Sequence, residues 1–525
     1  MMQSDKGDNS MRLVVIGIDS MDRRLIHEYL DNLPTFRKLV NDSPGITLNS
    51  VFPPDSDTAW ASIYTGLNPA QHGVVNFIDP LKKAALYQTD YLDNLSIRNR
   101  TFWDVAGKNG KTVCLIYPHA AYPVWEVNGF MIAPRPKTDE FQVYPPSYEF
   151  NFKVEELKLP RKIPDTKQEY KQYLGLLEKL VVNEFNFAMN MFDEQRWDLF
   201  FFYSCALDFV QHVFWNYCDP DDPTYPGDTN PFRNVIRDFY ILHDQHIGEM
   251  IKKIDSDTSV MVLSDHGHSM RPIKLFNMNE VLRKSGYLVG KQGPFSPVFD
   301  LNEKLKRAAV NVVQRLGFRK FAMNLLRTHP GLEKMYTVPS SIDFERSVAF
   351  TSDLSGMKSY TYGGIFVSKG KLTAGDAYTA VRDDIISTIS AAANGSADGN
   401  VIEWICPREL LYDGEHISKY PDVLFKLKGG YGAGWGIKLP FFSKTPAHNL
   451  FPGSHEGSTP VLLLSNLGGK KCAVTKATLM DIAPTVLDIL GVDSTQLSYD
   501  GASVLAKQKM DRAERDLSED VCHIE

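Results

Sequence analysis

Seven residues of this chain have side chains suited to divalent cations or to attack on an electrophile, and each adjoins an apolar run: Asp19, Ser56, Asp208, His212, Asp265, His266 and His455. Asp19 closes MRLVVIGIDS, and a carboxylate just past the C-terminal end of a buried parallel strand lies where α/β proteins bind ligands. Ser56 stands in PPDSDTAWASIYTGLNPAQH, from Pro53 to His72. The two prolines hold the backbone extended. The spacing of Ala59, Ile63 and Gly66 then predicts a helix ended by Thr65-Gly66 and Asn68-Pro69. Ser56 is expected at or near the N-cap, where free backbone N–H groups and the positive end of the helix dipole favour an anion, phosphate above all. Asp208 and His212 are four residues apart, so a helical turn puts both on one face. Asp265 and His266 end the strand SVMVLS and are followed by Gly267 and His268, while His455 lies in GSHEGS, before PVLLLS. Three carboxylates, three imidazoles and a hydroxyl are enough for two metal sites.

The elements that must position them follow from hydrophobic pattern. A helix is expected from Arg23 to Val40, interrupted at Pro34, and a strand in ITLNSVF, from Ile46, delivers the Ser56 loop. TVCLIY (Thr112 to Tyr117) and WDLFFFYS (Trp197 to Ser204) read as buried strands of a parallel sheet, and Lys167 to Arg196 and Arg233 to Lys253 as helices. Arg135 to Pro164, rich in proline and charge, reads as an excursion over the surface. From about Tyr287 to Gly430 long buried strands give way to short mixed elements, which predicts a compact α+β subdomain inserted into the main sheet. Within it Asn302 to Arg327 is amphipathic, with seven basic residues and one acid. This pattern suits a solvated face or a lid, with a membrane surface as the other contact for the basic helix near Lys304 to Arg327. GGYGAGWG, Gly429 to Gly436, reads as a flexible hinge or loop, Met480 to Leu490 as a closing helix, and the charged tail from about Lys507 as frayed. The expected division is a core of 1–286 and 431–525 with a cap of 287–430.

At 525 residues, with 43% hydrophobic and 23% charged residues, the chain has the composition of a soluble globular protein with room for one large core or two to three domains. A formal net charge of −7 argues against a nucleic-acid scaffold. The six cysteines are scattered without a CxxC pair, which suits a reducing compartment. The polar start MMQSDKGDNS lacks the apolar region of a signal peptide, and no apolar run approaches the ~20 residues that span a bilayer. A cytoplasmic location is expected.

The order of these motifs resembles the alkaline phosphatase superfamily, and most nearly its type I phosphodiesterase/nucleotide pyrophosphatase branch. The resemblance is carried by IGIDSMD, the PPDSDTAWASIYTGLNPAQHG stretch, the Asp208 and His212 pair in LDFVQHVFW, SDHG, the GSH before a strand, and DIAPTVLDILG. Each motif is moderately specific, and all six in this order are highly specific. The resemblance implies an alkaline-phosphatase-like fold: a doubly wound, mostly parallel sheet in three α/β/α layers with an inserted α+β cap. It also implies a metal-dependent phosphoric ester hydrolase of phosphodiesterase or nucleotide pyrophosphatase type, with phosphomonoesterase or phosphomutase as the alternatives. One metal would be held by Asp208, His212 and His455, and the other by Asp19, Asp265, His266 and the Ser56 oxygen. Zinc is expected, manganese being the other choice. Ser56 would be the nucleophile of a covalent phospho-Ser intermediate. The branch often has Thr there, and Thr58 lies two residues on. Asn76 would hold a phosphoryl oxygen of the small-molecule phosphate ester. The Cys/Ser-x-Pro-x-Arg signature of sulfatases is absent.

Charge around Ser56 bears on the substrate. From Ser56 to Pro80 there is no Lys or Arg, and Asp55 and Asp57 flank the serine. A monoester is nearly a dianion at neutral pH, whereas a diester carries one charge, so diesters or pyrophosphate bonds are favoured. Trp60, Tyr64 and Phe77 offer a stacking surface for a second ester group, and Lys82, Lys83 or the segment around Arg307 are the cations that would reverse the preference.

Overall fold

A computed structural model of the chain describes residues 11–75, 96–135, 140–154, 157, 159–160, 163–291, 342–351, 360–372, 375–444, 448 and 451–505. Asn76, Phe77, Lys82, Lys83, the Asn302 to Arg327 segment and the tail from Lys507 lie outside them.

The large apolar runs assemble into a seven-stranded sheet. In spatial order its strands are Leu462–Ser465, Thr258–Leu263, Arg12–Ile18, Leu199–Ser204, Val113–Ile116, Gly129–Pro134 and Phe141–Tyr144. The five inner strands are parallel, and both edges are antiparallel. Thr258–Leu263, Leu199–Ser204 and Val113–Ile116 are buried at every position, as a sheet covered on both faces requires. One face is covered by Pro34–Asp42, Lys167–Glu194, Ala206–Cys218 and Val235–Lys252, which pack on one another. The other is covered by Ser56–Thr65, Phe102–Lys108 and Ile482–Ile489. The fold is therefore the expected three-layer α/β/α arrangement.

Two contacts seat the nucleophile helix. A Cβ at Gly17 would stand 2.5 Å from Cη2 of Trp60, so only glycine lets the Trp60 ring lie on the strand that ends at Asp19. The Trp60 ring also meets Tyr203 edge-on at 5.1 Å. Trp60 and Tyr64 are both fully buried, so they are core residues and not the stacking surface for an ester group expected from their proximity to Ser56. Their apolar bodies contribute packing energy that a substrate-facing position would forfeit.

Several elements differ from the sequence reading. The ITLNSVF strand, Thr47–Asn49, pairs with Lys476–Thr478 in a separate two-stranded sheet. Only its central Leu48 is buried, so it lacks the two apolar faces of a main-sheet strand. PVLLLS runs antiparallel, and its alternating burial is that of an edge. Arg135 to Pro164 is not wholly an excursion, because Phe141–Tyr144 forms the other edge with no fully buried residue. GGYGAGWG is not a hinge: Tyr431–Gly434 pairs in parallel with Lys274–Asn277. Its glycines permit close approach, since a Cβ at Gly434 would lie 2.3 Å from Asn277 Oδ1.

A smaller body carries the antiparallel sheet Ala349–Thr351, Tyr362–Val367, Val423–Leu427, Ile402–Pro407, backed by the helix Gly375–Ala393. Its apolar core draws in Phe276, Met278, Val281 and Leu282 as well as Tyr431 and Ile437. It grips the stretch on both sides of the Ser56 helix. Tyr420 Oη donates to Phe52 O at 2.6 Å and Phe52 N–H donates to Tyr412 Oη at 2.8 Å. Beyond the helix, His416 N–H donates to Ala70 O at 2.8 Å and Lys419 Nζ to Gly73 O at 2.6 Å.

Two buried histidines make stability depend on acid. Burial, aided by nearby Arg100, His416 and Lys419, holds His72 down at about 3, and burial holds His243 down at about 4. Both are neutral in the folded chain, while the unfolded chain binds their protons at about 6.5. Their contribution is complete above that pH and is lost progressively as pH falls toward the folded values. The double variant His72→Gln/His243→Gln should therefore lose less Tm than wild type, or gain more, between pH 7.5 and pH 5; an unchanged slope would contradict this.

Candidate active site

Three adjacent strand ends build the floor. Asp19 N–H donates to Ser204 O at 2.9 Å, Ser20 N–H donates to Asp265 Oδ1 at 3.0 Å, and Gln211 Nε2 donates to Ser20 O at 2.7 Å. These bonds fix the turns after Arg12–Ile18, Leu199–Ser204 and Thr258–Leu263 relative to one another. Asp19 and Asp265 are 2% and 0% exposed, so their carboxylates cannot be solvated by bulk water.

Ser56 is the first residue of the helix Ser56–Thr65 and not its N-cap. Asp55 takes that place: its backbone is extended (φ −113°, ψ 150°) and its carboxylate accepts the Thr58 N–H at 3.2 Å. The shift leaves the Ser56 hydroxyl free of capping duty. Its Oγ lies 3.3 Å from His266 Nε2 and 3.5 Å from Asp19 Oδ1. Thr58 is fully buried, and its hydroxyl has no hydrogen-bond partner. Of the two hydroxyls, Ser56 faces the cluster and Thr58 the core.

Asp208 and His212 lie on one face of Ala206–Cys218 as their spacing predicts, with Asp208 Oδ1 3.4 Å from His212 Nε2. His455 arrives on Gly453–Glu456, a strand paired with Gly267–Met270, and its Nε2 lies 3.0 Å from His212 Nε2 and 3.6 Å from Asp208 Oδ1. His266 Nε2 lies 3.2 Å from Asp265 Oδ2 and 3.8 Å from Asp19 Oδ1. All seven residues picked out from the sequence thus converge. Asn76 is outside the described residues.

The imidazoles show what the cluster fits. His212 Nδ1 lies 3.0 Å from Gly453 O, His266 Nδ1 3.1 Å from Gly267 O, and His455 Nδ1 3.0 Å from Pro54 O. A carbonyl only accepts, so each Nδ1 carries a proton and each Nε2 faces inward, where its lone pair is available to a cation. That is how ligating histidines are held. Three inward lone pairs beside three carboxylates repel one another unless a cation lies among them. The groups Asp19, Asp265, His266 and Asp208, His266, His455 each have ligand atoms within 4.8 Å of one another. The site fits divalent metal ions.

The electrostatics express the same crowding. Burial, with the charges of Asp265 and Asp208, pushes the Asp19 carboxyl well above the usual carboxylate range. Burial opposes the charged form of His266, but Asp265, Asp19 and Asp208 outweigh it and raise the ring. A cation in the cluster would reverse both shifts.

Three neighbours were not among the residues picked out. His268 is fully buried, with Nδ1 2.7 Å from Ser20 Oγ and Nε2 without a hydrogen-bond partner, and it forms a third group with Asp208 and His212. Arg271 donates from Nε to Phe451 O at 2.6 Å and from Nη2 to Gly453 O at 2.7 Å, so it holds the strand that carries His455. His119 lies 2.9 Å from Asp57 Oδ1. It lies shortly past the strand Val113–Ile116, beyond Tyr117 and Pro118, close to the signal that selected Asp19, and His268 is legible in DHGH. Arg271 had no such signal. A surface cavity of about 440 Å³ opens elsewhere, between Asp42–Pro44 and Leu464–Cys472.

Solved structures with a similar chain course include murine ectonucleotide pyrophosphatase/phosphodiesterase 5, as an inactive variant in complex with AMP (13% identity, TM-score 0.49, 94% of this chain and 97% of that chain covered). The human protein of the same name matches at 12% identity and TM-score 0.48, again over 94% and 97% of the two chains. No curated protein sequence matches this one. Residues 13–337 match the family model described as type I phosphodiesterase/nucleotide pyrophosphatase. With that match spanning more than half its length, the chain belongs to the type I phosphodiesterase/nucleotide pyrophosphatase family and is a hydrolase of phosphoester or pyrophosphate bonds.

Proposed function

We propose that the protein is a two-metal phosphodiesterase or nucleotide pyrophosphatase with Ser56 as nucleophile. The observation that carries this reading is the set of Nδ1-anchored imidazoles and buried carboxylates around the Ser56 hydroxyl. Asp208, His212 and His455 would hold one divalent ion and Asp19, Asp265, His266 and the Ser56 oxygen the other. Bound there, such ions supply charge neutralisation at the phosphoryl oxygens and a lowered hydroxyl pKa. Zinc suits the mixed Asp/His sets best. Ser56 Oγ forms the bond to phosphorus as the bond to the leaving alkoxide or phosphate breaks, and the serine proton passes to the leaving group or water. Water then opens phospho-Ser56 and restores the hydroxyl. The tied strand ends keep the two carboxylates of the floor fixed during both steps. Asn76 is proposed to bind a phosphoryl oxygen.

A diester or pyrophosphate substrate is supported by the charges around the serine. Ser56 lies within hydrogen-bond distance of Asp19 and His266, and of no lysine or arginine among the described residues. Buried Arg271 is committed to the carbonyls of Phe451 and Gly453. On one zinc-loaded preparation, bis-p-nitrophenyl phosphate should therefore show the higher kcat/KM against p-nitrophenyl phosphate. A monoester preference of about tenfold or more, ~1.4 kcal/mol at the transition state, would overturn the diester reading and leave the family assignment standing.

No helix among the described residues is long and apolar enough to cross a membrane. None of the five described cysteines forms a disulfide, which supports a reducing compartment, and we propose a cytoplasmic location.

A further inference from the structure

Asp57 follows the nucleophile, and its carboxylate would repel an approaching phosphate. Its Oδ1 lies 2.9 Å from His119 Nε2. The other ring nitrogen, Nδ1, lies 3.1 Å from the Tyr203 hydroxyl. Tyr203 has one proton and donates it to Asp19 Oδ2 at 2.5 Å. Its oxygen is left to accept, so His119 Nδ1 must donate. The Asp57 carboxylate only accepts, so Nε2 must donate too. An imidazole with both nitrogens protonated is a cation. The charges agree with the proton count: burial opposes the charged ring, but Asp57, then Asp19 and Asp265, outweigh it and raise His119 to about 9.

We propose that His119 is a positioning residue: a fixed imidazolium that neutralises Asp57 beside Ser56 and, through the Tyr203 hydroxyl, holds the Asp19 carboxylate in place. Both of its N–H groups are committed to protein acceptors, so it acts on the phosphate through field and placement. It supplies the positive charge that the Ser56 to Pro80 stretch lacks, without offering a donor to a second charged phosphoryl oxygen. The inference rests on Ser56 as nucleophile, and part of its test is independent of that reading.

The independent part is the protonation state of His119. In protein labelled with 15N-histidine, the signals lost in His119→Gln should be those of an imidazolium at pH 7.5. A neutral tautomer there would overturn the inference whatever Ser56 does. The second part is kinetic. His119→Gln should raise KM for an anionic diester roughly fivefold or more, with a smaller change in kcat and unchanged metal content. Asp57→Asn in that background should restore most of the loss, because the uncompensated carboxylate is gone. Asp57→Asn alone should bring the loss of the second proton from the His119 ring down toward neutral pH, since Asp57 is the main charge that holds it; this arm holds even where His119→Gln fails to fold. A wild-type KM in His119→Gln, additive losses in the double variant, or an unchanged His119 titration in Asp57→Asn would each refute the proposal.

Discussion

Replacing Ser56 by alanine should lower kcat by about four orders of magnitude, ~5 kcal/mol of transition-state stabilisation, because the proposed covalent route through the serine oxygen is lost. The remaining rate would come from metal and binding effects alone. Fold should be preserved: Asp55 caps the helix, and the only hydrogen-bond neighbours of the Ser56 hydroxyl among the described residues are Asp19 and His266. Metal content should fall little, since three protein side chains per ion remain. The control is Thr58→Val, which replaces a buried hydroxyl without a partner by a methyl of the same shape. It should keep activity and leave Tm unchanged or raised. Steady-state kinetics, metal analysis and thermal melts on the two variants decide the matter. An inactive Thr58→Val beside an active Ser56→Ala would move the nucleophile by two residues.

The second large effect concerns the ligands, and it changes sign with metal. Asp265→Asn and His455→Ala should each lower metal occupancy and reduce activity by more than the 10–100-fold typical of losing an outer-shell partner, taking about that range as a floor. Wild-type protein should carry close to two equivalents of metal. Chelation should lower its Tm, since an ion present at ~100 times its Kd stabilises the folded state by about 2.7 kcal/mol. In the chelated state the order reverses. Asp265 helps push the Asp19 carboxyl upward from across the buried cluster, so removing its charge relieves repulsion. Metal-free Asp265→Asn should melt above metal-free wild type, while added zinc should raise Tm in the wild type and little in the variant. A variant that kept full metal and full activity would remove Asp265 from the site.

Much of this protein was legible from short-range pattern. The buried strands MRLVVIGI, TVCLI and LFFFYS read correctly because a strand covered on both faces must be apolar at every position, and that requirement is local. The Asp208 and His212 pairing followed from helical period, and the strand-end positions of Asp19 and Asp265 from where parallel sheets leave their polar groups. Other features required the tertiary structure, because they depend on partners distant in the chain. Strand direction at the Leu462–Ser465 edge is set by its neighbour, Thr258–Leu263. The three Nδ1 protons point at carbonyls of Gly453, Gly267 and Pro54, two of them in other segments. Trp60 and Tyr64 are as aromatic in a core as in a binding face, and only packing assigned them to the core. The surroundings of Ser56 depend on distant partners for the same reason. The sequence from Ser56 to Pro80 contains no lysine or arginine, yet folding brings His119 to Asp57 across 62 residues. The residue types determined what chemistry was available; long-range hydrogen bonds decided where each proton and lone pair lies.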